Sequence, residues 1–131
     1  MAESCTCSCS CGRDASEILI FPCSGASNVG QIANQAGVEL TKAVVGKMFC
    51  LAGIGAHVGS FVESAKGAKR IVAIDGCPVQ CAKKTLEHAG VTITDYVVVT
   101  EEGIDKNRNL NLAAEDVNKI CTKIRASLGI S

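Results

Sequence analysis

The chain has 131 residues, enough for one domain with a core of its own. Basic and acidic residues balance at 13 each, so charge makes no case for nucleic acid or an anionic membrane as a partner. Apolar residues make up 47% but aromatics only 3%, so small aliphatic side chains must build the interior.

No apolar signal-like core opens the chain and no run is long enough to span a membrane, which points to a cytoplasmic location. Nine cysteines in such a chain speak for metal or thiol chemistry rather than a disulfide framework. An odd number cannot pair completely in any case.

Residues 1–15 read as a cysteine-rich arm ahead of a single domain at 16–131. Cys5, Cys7, Cys9 and Cys11 alternate with Thr and Ser, without apolar periodicity. In an extended chain alternate side chains share an edge. Their four sulfurs are enough for a second site holding one zinc or one iron–sulfur cluster.

Ile18-Leu19-Ile20-Phe21 reads as a buried strand. It runs into the turn Pro22-Cys23-Ser24-Gly25-Ala26-Ser27. Val29, Ile32, Ala33, Ala36 and Leu40 then recur at helical spacing, with Ser27 or Asn28 as the cap. The second unit is a strand over residues 47–52, a glycine-rich turn from Gly53 through Gly55 to Gly59, and a short helix ending at Gly67. The third opens with Arg70-Ile71-Val72-Ala73-Ile74. There follows Asp75-Gly76-Cys77-Pro78-Val79-Gln80-Cys81, with a helix running to Ala89. Pro78 suits the first helical position, which sets Cys77 near the N-cap and both thiols on one helix face. The fourth strand spans residues 95–100. A polar loop and a last helix follow, with Val117, Ile120, Cys121, Ile124 and Leu128 on its apolar face.

Successive strand–helix units predict an α/β fold in three layers. A mostly parallel four-stranded sheet carries helices on both faces, in a Rossmann-like or flavodoxin-like arrangement. Ligands of such folds bind outside the carboxyl ends of the strands. Cys23, Cys50, Cys77 and Cys81 all fall on that edge by strand direction alone. Gly25, Ser27, Gly53 and Gly55 sit in the same turns, where backbone N–H groups can approach a bound cofactor.

These residues resemble the DGC-domain family of small prokaryotic proteins, named for a central Asp-Gly-Cys motif. The likeness rests on Asp75-Gly76-Cys77 with Cys23-Ser24-Gly25, Cys50-Leu51-Ala52-Gly53 and Cys81, and covers roughly residues 18 to 100. It implies zinc binding through Cys23, Cys50, Cys77 and Cys81; the arm is not part of the pattern.

Three readings follow. The first is a thiolate metal site, zinc or an iron–sulfur cluster, in redox, sulfur or metal handling; His57 on the same edge could replace one sulfur. The second is thiol or persulfide chemistry, with Cys77 or Cys81 attacking, Asp75 accepting a proton or orienting a thiol, and a redox or sulfur-transfer protein as partner. The third is dinucleotide binding by Gly53 and Gly55 with Asp75 about twenty residues on, a partial fingerprint with Val58 at the third glycine position. A phosphatase-like anion loop at Cys23 is set aside because that turn holds no arginine.

Overall fold

Alternation along the two central strands decides the layering. In a strand, neighbouring side chains face opposite ways. Ile20, Val72 and Ile74 enter one core and Leu19, Phe21, Ile71 and Ala73 the other. A computed structural model describes residues 18–130. The cysteine arm with Cys5, Cys7, Cys9 and Cys11 lies outside the described residues.

The elements run β1 (Ile18–Pro22), α1 (Asn28–Lys42), β2 (Lys47–Met48), α2 (Leu51–Gly55), α3 (Gly59–Gly67), β3 (Arg70–Asp75), α4 (Cys81–His88), β4 (Asp95–Val98) and α5 (Ala114–Leu128). The sheet order is β2-β1-β3-β4 and every pairing is parallel. Helices α1 and α5 cover one face, where Ile32, Ala33, Ala36 and Leu40 meet Val117, Ile120 and Ile124. Ile54 of α2, Ala65 of α3 and Leu86 of α4 cover the other. The predicted three-layer α/β architecture is therefore the observed one. No helix of the described residues is long and apolar enough to cross a membrane.

Four boundaries differ from the sequence expectation. Strand β2 is two residues long, because Cys50 already caps α2: its Sγ accepts the Gly53 N–H at 3.3 Å. The glycine-rich stretch after it is thus partly helix. Gly53 is needed for packing, since a Cβ there would collide with the Phe61 ring. Strand β4 stops at Val98 and passes into a 3-10 turn, Val99–Glu102.

Helix α4 starts at Cys81, not Pro78. Pro78 and Val79 form a turn closed by Gln80 N–H on the Cys77 carbonyl at 3.1 Å, and Gln80 takes a left-handed φ of 64°. Cys77 therefore lies outside the helix and does not share a helix face with Cys81.

Candidate functional site

Chain order places β1 and β3 side by side, while their connections leave toward opposite sides of the sheet. Such a reversal opens a crevice at the carboxyl ends of the two strands. Here it is a cavity of about 810 Å3 between the Cys23 turn, the Gly76-Cys77 turn and the loop after β4. Cys23, Cys77 and Cys81 all line it.

Backbone contact between the two turns shapes the crevice. Cys23 N–H extends the β1–β3 ladder to the Ile74 carbonyl at 2.8 Å. In return, Gly76 N–H donates to Cys23 Sγ at 3.2 Å. Gly76 packs against the start of α1 so closely that a Cβ would stand 2.8 Å from both the Val29 carbonyl carbon and Gly30 N. No side chain fits there, which explains the glycine of the Asp-Gly-Cys triplet.

The thiols are not equivalent. Burial pushes the Cys23 thiol up to about 11; the Gly76 N–H only partly offsets this, and the Asp75, Cys81 and Cys77 charges add to it. Cys23 is therefore a protonated, half-buried sulfur at neutral pH. Cys81 is exposed at the first turn of α4. Cys77 is half-buried, and Lys106 Nζ donates to its Sγ at 3.5 Å. A cation against a partly exposed sulfur is the setting in which cysteines act as nucleophiles or ligands.

Lys106 and Arg108 both line the cavity, although they lie far along the chain from the cysteine turns. Buried Asn28, the first residue of α1, holds their loop. Its Nδ2 donates to the Asp105 carbonyl at 2.7 Å, and its Oδ1 accepts Asn107 N–H at 2.6 Å. The Asn28 backbone N–H bonds the Asn107 carbonyl at 2.9 Å. Beyond it, Asn107 Oδ1 accepts Asn109 N–H and Asn109 Oδ1 accepts Asn111 N–H, two successive Asx turns. The arginine missing from the Cys23 turn is thus supplied from the other end of the domain, and sequence reasoning passed over both cations.

Asp75 does not face the thiols as a free base. Its Oδ1 accepts Ala82 N–H at 2.7 Å, and its Oδ2 accepts Lys83 N–H at 3.0 Å and the Tyr96 hydroxyl at 2.8 Å. It caps the first turn of α4 from the preceding strand, a service Gln80 does not perform. Burial first, then the bond to Asp75, keeps the Tyr96 phenol protonated far above its usual range.

Gly25 and Ser27 line the cavity, and Ser27 Oγ caps α1 by accepting Gly30 N–H at 3.1 Å. Gly53 and Gly55 belong to α2 and Cys50 caps it; none of the three lines the cavity. Asp75 is bound to α4 and Tyr96 and also lies off the lining, so the two halves of the dinucleotide fingerprint do not meet at this cavity. His57 also lies off the lining, with Nε2 3.2 Å from His88 Nδ1. Cys121 packs against the α1–α5 core, its Sγ 3.7 Å from the Ala36 carbonyl.

Zinc or a cluster needs several sulfurs within bonding reach of one point. Among the described residues no group of three His, Cys, Asp or Glu side chains is gathered to hold a metal. The three cavity thiols as arranged, with Cys50 committed to α2, do not form a ready four-sulfur site.

A family model for the DGC domain matches residues 19–124. The "Anaerobic and virulence modulator AnvM" of Pseudomonas aeruginosa is 34% identical over 110 residues, covering 84% of this chain and 84% of that protein. No solved structure matches the chain. The Asp-Gly-Cys turn, the parallel sheet that presents it and these two likenesses together establish that the chain belongs to the DGC domain family.

Proposed function

We infer that the chain is a thiol protein of redox or sulfur handling, with Cys77 as the reactive sulfur and Cys81 as the second thiol. The observation behind this is the 3.5 Å contact between Lys106 Nζ and Cys77 Sγ, in a cavity that Cys81 also lines. The ammonium is placed to stabilise the negative charge that a reacting cysteine develops, and the opening admits an electrophile. Cys23 holds its proton and serves the wall. The relative in Pseudomonas aeruginosa is named an anaerobic modulator, and thiols that answer to redox poise suit such a role in this chain too. A redox or sulfur-transfer protein is the natural partner.

Substoichiometric iodoacetamide on the reduced full chain tests this, with the labelled cysteines mapped by mass. Cys77 should be alkylated ahead of Cys23, Cys50 and Cys121. Labelling of Cys77 no faster than of Cys50, a mere helix cap, would remove the basis of the proposal.

The second reading is a zinc or iron–sulfur protein, favoured by the meeting of Cys23, Cys77 and Cys81 on one cavity. Further ligands and a closer approach of the sulfurs would be required. About one metal per anaerobically purified chain, lost in both Cys77→Ser and Cys81→Ser, would establish it; metal content unchanged in both would end it.

A further inference from the structure

We propose that the Cys77 cavity takes small sulfur oxyanions that carry a transferable sulfur, thiosulfate being the simplest, and that Lys106 and Arg108 select for them. This rests on the thiol reading above and names its substrate class.

The thiol reading and two observations converge. The nucleophile is a sulfur, so its substrate must be an electrophile that thiolates attack. The cavity receives two cationic side chains, Lys106 and Arg108, and among the described residues no acidic one lines it. Asp75, the carboxylate nearest in sequence, is turned into α4 and bound by two backbone N–H groups and Tyr96. The described lining is therefore net positive inside a chain of zero net charge. The backbone that carries Lys106 is also held: Asn28 uses both its side-chain groups to bond Asp105 and Asn107 on either side of it, at the start of α1. A loop that only closed the fold would have no need to set Lys106 on the Cys77 sulfur.

The step balances without a co-reactant. Cys77 thiolate attacks the outer sulfur of thiosulfate, and a new S–S bond forms. The S–S bond of thiosulfate breaks, and its electron pair leaves with sulfite. Cys77 is left as a persulfide anion, which occupies the place of the thiolate beside Lys106. Arg108 and Lys106 hold the sulfonate oxygens of substrate and product, as guanidinium and ammonium groups hold other oxyanions.

The test treats reduced full chain with thiosulfate, measures released sulfite and maps the extra sulfur by mass. Iodoacetamide and iodoacetate, a neutral and an anionic alkylating agent, run in parallel. The expected result is sulfite released with persulfide on Cys77. Lys106→Gln and Arg108→Gln, both at exposed positions, should each slow the thiosulfate rate about tenfold relative to the iodoacetamide rate of the same variant. The ratio of iodoacetate to iodoacetamide rates, expected to be higher at wild-type Cys77 than for a free thiol, should fall in step in both variants. Cys77 alkylated first by iodoacetamide but never persulfidated would overturn the substrate class and leave the thiol reading standing. Persulfide confined to the arm cysteines, or thiosulfate rates indifferent to both variants, would overturn it equally. Cys77 inert to every reagent would end both.

Discussion

Asp75 separates a structural from a chemical account of the Asp-Gly-Cys turn. Its carboxylate is 1% exposed and accepts two backbone N–H bonds and one hydroxyl bond, between 2.7 and 3.0 Å. Asp75→Ala leaves two helix N–H groups and the Tyr96 hydroxyl without a buried partner. A lost helix cap costs about 0.5–2 kcal/mol, and bonds to a charged acceptor about 1.5–3 kcal/mol each. These contributions overlap because the three bonds share one carboxylate. The net expectation is about 3–4 kcal/mol, a large share of the roughly 5–15 kcal/mol that holds a domain. At about 4 °C per kcal/mol for a chain of this size, the melting temperature should fall by roughly 12–16 °C.

Asp75→Asn keeps the shape and one acceptor oxygen but turns an amide toward a donor, so about 2 kcal/mol is expected. Tyr96→Phe removes a single bond and should cost about 1 kcal/mol. The two changes combined should cost less than their sum, because each disables the same Asp75–Tyr96 bond. The assay is urea unfolding followed by circular dichroism, beside the iodoacetamide rate of Cys77 in each variant. Asp75→Asn with unchanged stability and a Cys77 rate at least tenfold lower would refute the reasoning and restore Asp75 as a proton acceptor.

Val44 follows the C-cap of α1 with φ 59°, β-branched and 70% exposed; Val44→Gly should raise stability by about 1 kcal/mol, and an unchanged urea midpoint would show that the strain is not there. Asn28→Ala removes two side-chain bonds to the 105–107 loop. It should cost about 2–3 kcal/mol and bring iodoacetate and iodoacetamide rates at Cys77 together; rates as far apart as before would mean the loop holds its place by other means. Cys23 gives a pH prediction. Burial lifts its folded pKa to about 11, above the ordinary thiol value of 9.0, so the folded chain keeps this proton longer than the unfolded chain does. Its contribution to stability is complete below about pH 9 and is lost as pH rises toward 11. Cys23→Ser should therefore show a shallower loss of stability across that window than wild type, and parallel curves would contradict the assignment.

How far the sequence could be read depended on how local each cause was. The α/β layering was legible because Ile18 to Phe21 and Ile71 to Ile74 are apolar runs whose alternation feeds two cores. Cys23, Cys77 and Cys81 could be put on one edge because Cys23 and Cys77 come just after well-marked strands and Cys81 opens the helix that follows the second of them. Cys50 follows β2 on the same edge but does not line the cavity, because its strand is two residues long and its sulfur caps α2, and a thiol serving as a cap looks in sequence like any thiol beside a strand. The start of α4 was misread for a related reason. Pro78 is a sound first helical residue, but the cap that decides the start is Asp75, acting from seven and eight residues away. Lys106 and Arg108 were hidden by distance, since the clamp that brings them in joins residues 77 and 79 positions apart. Only the alternation Asn107, Asn109, Asn111, a run of Asx turns, marked that loop as built.

The three residues of the Asp-Gly-Cys turn thus do three different things within one turn of chain. Asp75 reaches forward to fasten α4, which sets where Cys81 stands. Gly76 admits the start of α1 at a distance no side chain allows, and its N–H bonds Cys23. Its carbonyl takes the Thr100 N–H at 3.2 Å, tying the loop after β4 to the same point. What is left facing the cavity is Cys77. The triplet is therefore a device for presenting one sulfur where a helix start, a second thiol and a cationic loop converge. On the proposed thiol reading the reacting group is therefore Cys77, and the carboxylate two residues before it is a structural cap.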